Sequence, residues 1–331
     1  MACVISVVNK FMYKKIFKNK KQAIVILVIF HIIMFSTIFV LRNDSQNNEV
    51  KSDNKLKVIT TIFPIYDMAR TIGGDKIELS QLLPPGIEAH SFELKPSDIA
   101  KINEADIFIY TSRAMEPWID DLIKSLNNKK LIIVDAGKNI KMIPGVNRDE
   151  DGVVSEMDPH IWLDFDNTQI MLRNVLNAIE NNDLNNSIYY KNNFEDYKNK
   201  LSILDSKYKS SLSNCGSHKI VYGGHYAFAY LASRYNLEYS AAQGFSPNSE
   251  PSVQDLVSLI KQIKEDELDY IYYEELSSPK ISEMIAAETD TKLLLLNAAH
   301  NLPKDEFISG ISLLDIFNSN LDNLKLGLNC K

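Results

Sequence analysis

Residues 219–235, KIVYGGHYAFAYLASRY, decide how this chain is read. Lys219–Tyr222 is a short run with strand composition, Gly223-Gly224 allows a sharp backbone turn, and Ala227–Tyr235 has helix composition. His225 therefore falls just past the end of a strand. In open α/β sheets, ligands bind beyond the carboxyl ends of the strands. The stretch TKLLLLNAAHNL (291–302) repeats the arrangement, with His300 after the apolar run Leu293–Leu296.

Working outward from 219, strands are expected at Lys219–Tyr222, Glu238–Ala241, Asp269–Tyr273 and Lys292–Leu296. They alternate with helices at Ala227–Tyr235, Val253–Lys264 (with Ser249 and Pro251 near its start), Ser278-Pro279 to about Glu288, and Ile311–Leu328. The same alternation precedes it. Strands are expected at Val58–Phe63, Ile77–Leu83, Ile107–Tyr110 and Leu131–Val134. Helices are expected at Ile65–Ile72 (ended by Gly73-Gly74), Pro96–Glu104 and Glu116–Leu126. Alternating strands and helices mark a parallel sheet with helices on its faces. The expected fold class is α/β: two lobes, each with a roughly four-stranded parallel sheet, over residues 56–184 and 214–331.

Between them, Asn167–Ser213 is mostly helical in pattern. Tyr189, Phe194, Tyr197, Leu201, Leu204 and Tyr208 mark one helix face, and no Gly or Pro interrupts Asn185–Asn214. A helix over 185–213 of ~30 residues would run ~45 Å. That predicts a rigid strut joining the lobes rather than a flexible hinge.

The amino terminus has a different character. Residues 1–22 are basic, and Ala23–Leu41 is apolar except for His31, Ser36 and Thr37. Crossing a bilayer takes ~20 apolar residues. The lysines precede the run, so residues after Leu41 are expected outside the cytoplasm. The run is long for the apolar part of a cleaved leader, no small-x-small site follows it, and Cys3 lies far upstream of any lipid-attachment position. An uncleaved signal anchor is expected, with secretion after cleavage the alternative. The polar stretch NDSQNNEVKSDN (43–54), within a linker over 42–55, reads as a tether.

The chain carries −7 overall and residues 1–42 carry +7, which leaves about −14 on the exported part. That balance excludes a nucleic-acid partner, which needs a basic surface. Three cysteines, Cys3, Cys215 and Cys330, make neither a disulfide scaffold nor a CxxC metal site, though Cys215 and Cys330 could pair. The loop Lys141–Met157 clusters Asp149, Glu150 and Asp151, a pattern most often simply solvated.

Four of six histidines are candidate metal ligands: His90 after Pro84-Pro85-Gly86, His160 in MDPHIWLDFDN (157–167) beside Trp162, His225, and His300. The gaps of 70, 65 and 75 residues carry no spacing signature, so the argument is positional. His31 lies in the apolar run and His218 begins a strand, and neither is a candidate. Neutral imidazoles suit zinc, copper or nickel, whereas magnesium and calcium prefer oxygen. Three histidines with an open position resemble catalytic zinc, and four protein ligands favour binding.

Taken in order, PPGIEAHSFELKPSD, DPHIWLD, GGHYAFAYLASRYNL, GFSPNSEPS and YEELSSPKISEMIAAET resemble the metal-binding class of solute-binding proteins that serve bacterial ABC importers, and within it the zinc-uptake branch. The resemblance covers Lys57–Asn301. It implies two α/β lobes joined by one long helix, a metal bound in the cleft between them, and ligands at His90, His160 and His225. The fourth position departs from relatives, which supply Asp or Glu; here LNAAHN offers His300, with Asn297 or water as competitors. The histidine-rich loop that many zinc binders carry before DPH and the lipid-attachment cysteine are both missing, so anchoring would fall to Ala23–Leu41.

The resemblance implies a non-enzymatic, extracytoplasmic, membrane-anchored receptor. It would act as a monomer that captures Zn²⁺, with Mn²⁺ the runner-up ion, and deliver it to an ABC permease. Affinity is expected to fall as pH drops through the ordinary imidazole pKa of ~6.5. A zinc hydrolase with Glu88 or Glu93 nearby, and an adhesin with a structural metal, are the competing classes.

Overall fold

The computed structural model describes residues 28, 29, 31, 32, 34, 55–90, 92–145, 157–244 and 251–331. The chain divides into two units, Met1–Asn54 and Lys55–Lys331. In the first, Val28, Ile29, His31, Ile32 and Met34 are helical and exposed. Most of the expected anchor, the tether, the cluster Asp149–Asp151, and 245–250 of GFSPNSEPS lie outside the described residues. Among the described residues, no helix is long and apolar enough to cross a membrane.

The second unit holds two sheets of one design. β1 (Leu56–Thr60), β2 (Ile77–Gln81), β3 (Ile107–Tyr110) and β4 (Ile132–Asp135) run parallel in the order β2-β1-β3-β4. β5 (Lys219–Tyr222), β6 (Glu238–Ala241), β7 (Tyr270–Tyr273) and β8 (Lys292–Leu295) repeat it as β6-β5-β7-β8. β3 reads IFIY and is buried throughout, as a strand covered on both faces by helices must be.

The helices of the first lobe are α1 (Phe63–Gly73), α2 (Pro96–Asn103) and α3 (Ile119–Ser125). α4 (Phe165–Glu180) and α5 (Ser187–Leu212) lead to the second lobe. There α6 (Ala229–Arg234), α7 (Val253–Glu265), α8 (Lys280–Thr289), α9 (Lys304–Ser309) and α10 (Leu313–Gly327) follow. Asp164 starts α4 by accepting from the amides of Asp166 and Asn167. Ser312 and Asp315 form a capping box that starts α10.

The connecting helix α5 has 26 residues, about 39 Å at 1.5 Å per residue, shorter than its sequence pattern suggests. A 3₁₀ turn, Leu184–Asn186, precedes it, and Asp183 accepts from Asn186 and from the Tyr190 hydroxyl. The buried face is Tyr190, Phe194, Tyr197, Leu201, Leu204, Tyr208 and Leu212. Tyr190, not Tyr189, belongs to it, because spacings of three and four keep a side chain on one face. Fully burying such a side chain is worth about 1.5–3 kcal/mol. α5 packs on α1, α4 and α10, within a core that runs through both lobes.

The expected closing helix is α10, and the structure adds a short helix, α9, before it. α9 and α10 are separated by Gly310, whose φ of +80° stops the first helix. α6 begins at Ala229 rather than Ala227, since the residues after Gly224 form the turn that carries His225. Cys215 and Cys330 are disulfide-bonded, joining the segment after α5 to the end of the chain.

Two polar clusters tie the lobes to α5. Arg234 of α6 bonds Asp164 at the start of α4, Asp166 in its first turn, and Asp205 of α5. Asp67 of α1, fully buried, accepts from Arg70, from the Tyr197 hydroxyl and from the Leu313 amide of α10.

Candidate metal centre

His90, His160, His225 and His300 come together, each offering one ring nitrogen, with those atoms all within 4.8 Å of one another. His90 is half-buried and the other three are buried. Each is placed by a different local device. His225 follows β5 on the Gly223-Gly224 turn. At Gly224 a Cβ would lie 2.6 Å from the Glu274 carboxylate, so only glycine lets that acid reach His225. Glu274 accepts from both the amide (3.2 Å) and Nδ1 (2.8 Å) of His225. His160 sits on an Asx-type turn in which Asp158 Oδ1 accepts from its amide (2.9 Å) and pairs with its Nδ1 (2.8 Å). His300 follows Ala299, which holds φ +61° because Asn297 Oδ1 accepts its amide. His90 ends the loop after β2, where its amide donates to Glu88.

The inward nitrogens have a telling spacing. Nε2 of His160 is 3.3 Å from those of both His90 and His225, and His90 Nε2 is 3.4 Å from His300 Nε2. A tetrahedral zinc with Zn–N of about 2.0–2.1 Å places its nitrogens about 3.3–3.4 Å apart. With Nδ1 of His160 and His225 facing carboxylates, their Nε2 lone pairs turn inward. His300 Nδ1 is 3.6 Å from Glu275, longer than a hydrogen bond. Glu275 also accepts the Ala298 amide, bracing the loop before His300.

Burial sets the charge state. It pushes the His90 imidazole down to about 3, helped by repulsion from His225. Burial likewise holds His160 and His300 well below the ordinary value, again reinforced by the neighbouring histidines. The His90, His160 and His300 rings are therefore neutral, as metal binding requires, and proton competition at these three moves below the 6.5 expected of free histidine. Burial pushes Asp158 up to about 7. It pushes Glu275 up to about 8, with the charge of Glu274 adding to it. A dication among the imidazoles would reverse that preference for the neutral acids.

Trp162 walls the cluster. It is fully buried, its ring lies 5.6 Å from His160 and 5.2 Å from His300, and its Nε1 donates to Ala298 O. The two glutamates near His90 lie differently: Glu88 braces its amide and Glu93 is exposed. His218 is exposed and outside the cluster. Sequence reasoning missed Asp158, Glu274 and Glu275 as partners. The signal was present, since Glu274 directly follows β7 as His225 follows the turn after β5.

Two matching α/β lobes, one long connecting helix and a buried histidine cluster at the strand ends define a metal-binding solute-binding protein. The chain belongs to the family described as zinc-uptake complex component A, periplasmic, whose model matches residues 58–327. It is 34% identical over 279 residues to the high-affinity zinc uptake system protein ZnuA of Bacillus subtilis, covering 82% of this chain and 87% of that protein. It is 31% identical over 298 residues to the zinc-binding protein AdcA of Streptococcus pyogenes, covering 85% of this chain but only 58% of that longer protein.

Among solved structures, the metal-dependent lipoprotein YcdH of Bacillus subtilis matches with a TM-score of 0.72 at 35% identity, covering 83% of this chain and all of that one. The Zn(II)-bound ZnuA-like domain of Streptococcus pneumoniae AdcA matches with a TM-score of 0.72 at 29% identity, covering 83% of this chain and 99% of that one.

Proposed function

We propose that this protein is the extracytoplasmic receptor of a zinc importer, and that His90, His160, His225 and His300 are its zinc ligands. The observation that carries the reading is the tetrahedral-edge spacing of their Nε2 atoms. Zinc is cargo here: the receptor captures it and passes it to an ABC permease. Four imidazoles fill a tetrahedral sphere and leave no position for a reactive water, which favours binding over hydrolysis.

Zinc is favoured over manganese because no carboxylate belongs to the four-residue cluster, and manganese suits oxygen ligands. His300 is favoured over Asn297 as fourth ligand because its Nε2 lies 3.4 Å from His90 Nε2, inside the cluster. The sequence of residues 1–41 supports attachment to the outer face of the cytoplasmic membrane through Ala23–Leu41, and we read the receptor as a monomer.

The full chain in detergent, offered an equimolar mixture of zinc and manganese and weighed by native mass spectrometry, tests this. One zinc per chain, weakened in His300→Ala, is the expected result. A manganese-loaded protein would overturn the ion, and a His300→Ala protein that keeps wild-type zinc affinity would overturn the four-histidine set.

A further inference from the structure

Three of the four histidines have a carboxylate behind Nδ1: Asp158 for His160, Glu274 for His225 and, more distantly, Glu275 for His300. Among the described residues, no carboxylate pairs with the His90 ring, which is also the most exposed of the four. Its orientation must come from its loop. That loop belongs to the first lobe, yet the second lobe holds it. Asn301, fully buried beside His300, donates from Nδ2 to Pro84 O (2.7 Å) and Ile87 O (2.9 Å). Its Oδ1 accepts from Gln81 Nε2 (3.0 Å) and from the Leu302 amide (3.0 Å). Both donors and both acceptor positions of the carboxamide are thus in use. Beside it, Gly86, at φ +83°, donates its amide to Leu302 O (2.8 Å).

We propose that Asn301 is the positioning residue for His90: it clamps the 84–90 loop to the His300 loop across the lobes, and so does for His90 what carboxylates do for the other three ligands. The inference rests on the zinc-site reading above and adds a residue to it. Two ligands on opposite lobes are pre-assembled through Asn301, so zinc escape requires this clamp to open. A neutral amide suits the task because it faces two carbonyls as donor and two N–H groups as acceptor at once; a carboxylate could not donate to Pro84 and Ile87.

The test is a double-mutant cycle on the full chain in detergent, with zinc affinity read by chelator competition and zinc release by stopped flow. Asn301→Asp keeps the side-chain volume and both acceptor roles, so it serves should Asn301→Ala fail to fold. Either substitution should weaken zinc ~10-fold or more, as loss of an outer-shell partner does, with a matching rise in release rate. In a His90→Ala background the same substitution should cost no further affinity, because Asn301 acts through His90. Cobalt-loaded Asn301→Asp should show an altered visible spectrum, which a merely structural role would not produce. Equal losses in both backgrounds, or wild-type affinity with an unchanged cobalt spectrum, would overturn the proposal. A wild-type chain that binds no zinc would instead overturn the receptor reading.

Discussion

The Nε2 atoms of His160 and His225 lie 3.3 Å apart, although one histidine precedes the connecting helix and the other follows it. Each is held from behind by an acid of its own lobe, Asp158 or Glu274. The two halves of the site are thus built separately and meet face to face, so damage to either half should show in metal affinity before it shows in the fold.

Removing one inner ligand should be severe. Structural zinc sites bind with about 10–16 kcal/mol, and about a quarter of that per ligand corresponds to roughly 100- to 1,000-fold in affinity. His225→Ala should therefore lose zinc by at least ~100-fold in a chelator titration. An unchanged constant would remove His225 from the site.

The outer carboxylates should matter less. Glu274→Gln keeps one oxygen but loses the charge that fixes the His225 tautomer. Zinc affinity should fall about 10- to 100-fold, measured by competition with a chromogenic chelator. Gly224→Ala should do similar damage by pushing the acid away from His225, since its Cβ meets the Glu274 carboxylate at 2.6 Å.

Chelation should lower thermal stability. A ligand that binds only the native state stabilises it by about 4 kcal/mol at a thousand times its dissociation constant. Calorimetry with and without zinc should show a rise in Tm for the wild type and a much smaller one for His225→Ala.

The Cys215–Cys330 bond closes a loop around the whole second lobe, with a sequence separation of 115. Chain-entropy reasoning puts such a crosslink near the upper end of a typical 2–5 kcal/mol. Cys215→Ser with Cys330→Ser should lower the denaturant midpoint accordingly, while zinc stoichiometry stays at one. Loss of zinc binding in a folded variant would mean the crosslink shapes the site.

Acid should loosen the joint at Arg234. Burial opposes ionisation of Asp205, but hydrogen bonds from Arg234, Lys209 and Tyr235 outweigh it and hold the carboxyl below its ordinary 3.8. A depressed carboxylate contributes stability above its unfolded pKa and loses it as pH falls below. Urea midpoints should drop as pH is lowered from 5 to 2, and Asp205→Asn should be less stable at neutral pH with a shallower acid dependence. An identical acid slope in the variant would show that Asp205 is not a source of it.

Much was legible in the chain itself because its signals are local. Runs such as Ile107–Tyr110 and Lys219–Tyr222 match the observed strands end for end. The alternation with helices dictates parallel sheets, and a histidine just past a strand falls where such sheets bind ligands. That position named His225 and His300, the Pro84-Pro85-Gly86 loop named His90 and the turn beside Trp162 named His160, and all four converge. What stayed hidden is what depends on distance across the fold. Gaps of 65 to 75 residues between the histidines contain no information about a 3.3 Å contact. The pairing of Glu274 with His225, 49 residues apart, and the grip of Asn301 on a loop more than 200 residues earlier likewise arise only once both lobes pack on α5. Local periodicity determines secondary structure and its order; the burial that drives imidazoles neutral and lines up their lone pairs is a property of the closed core, and only the tertiary structure decides it.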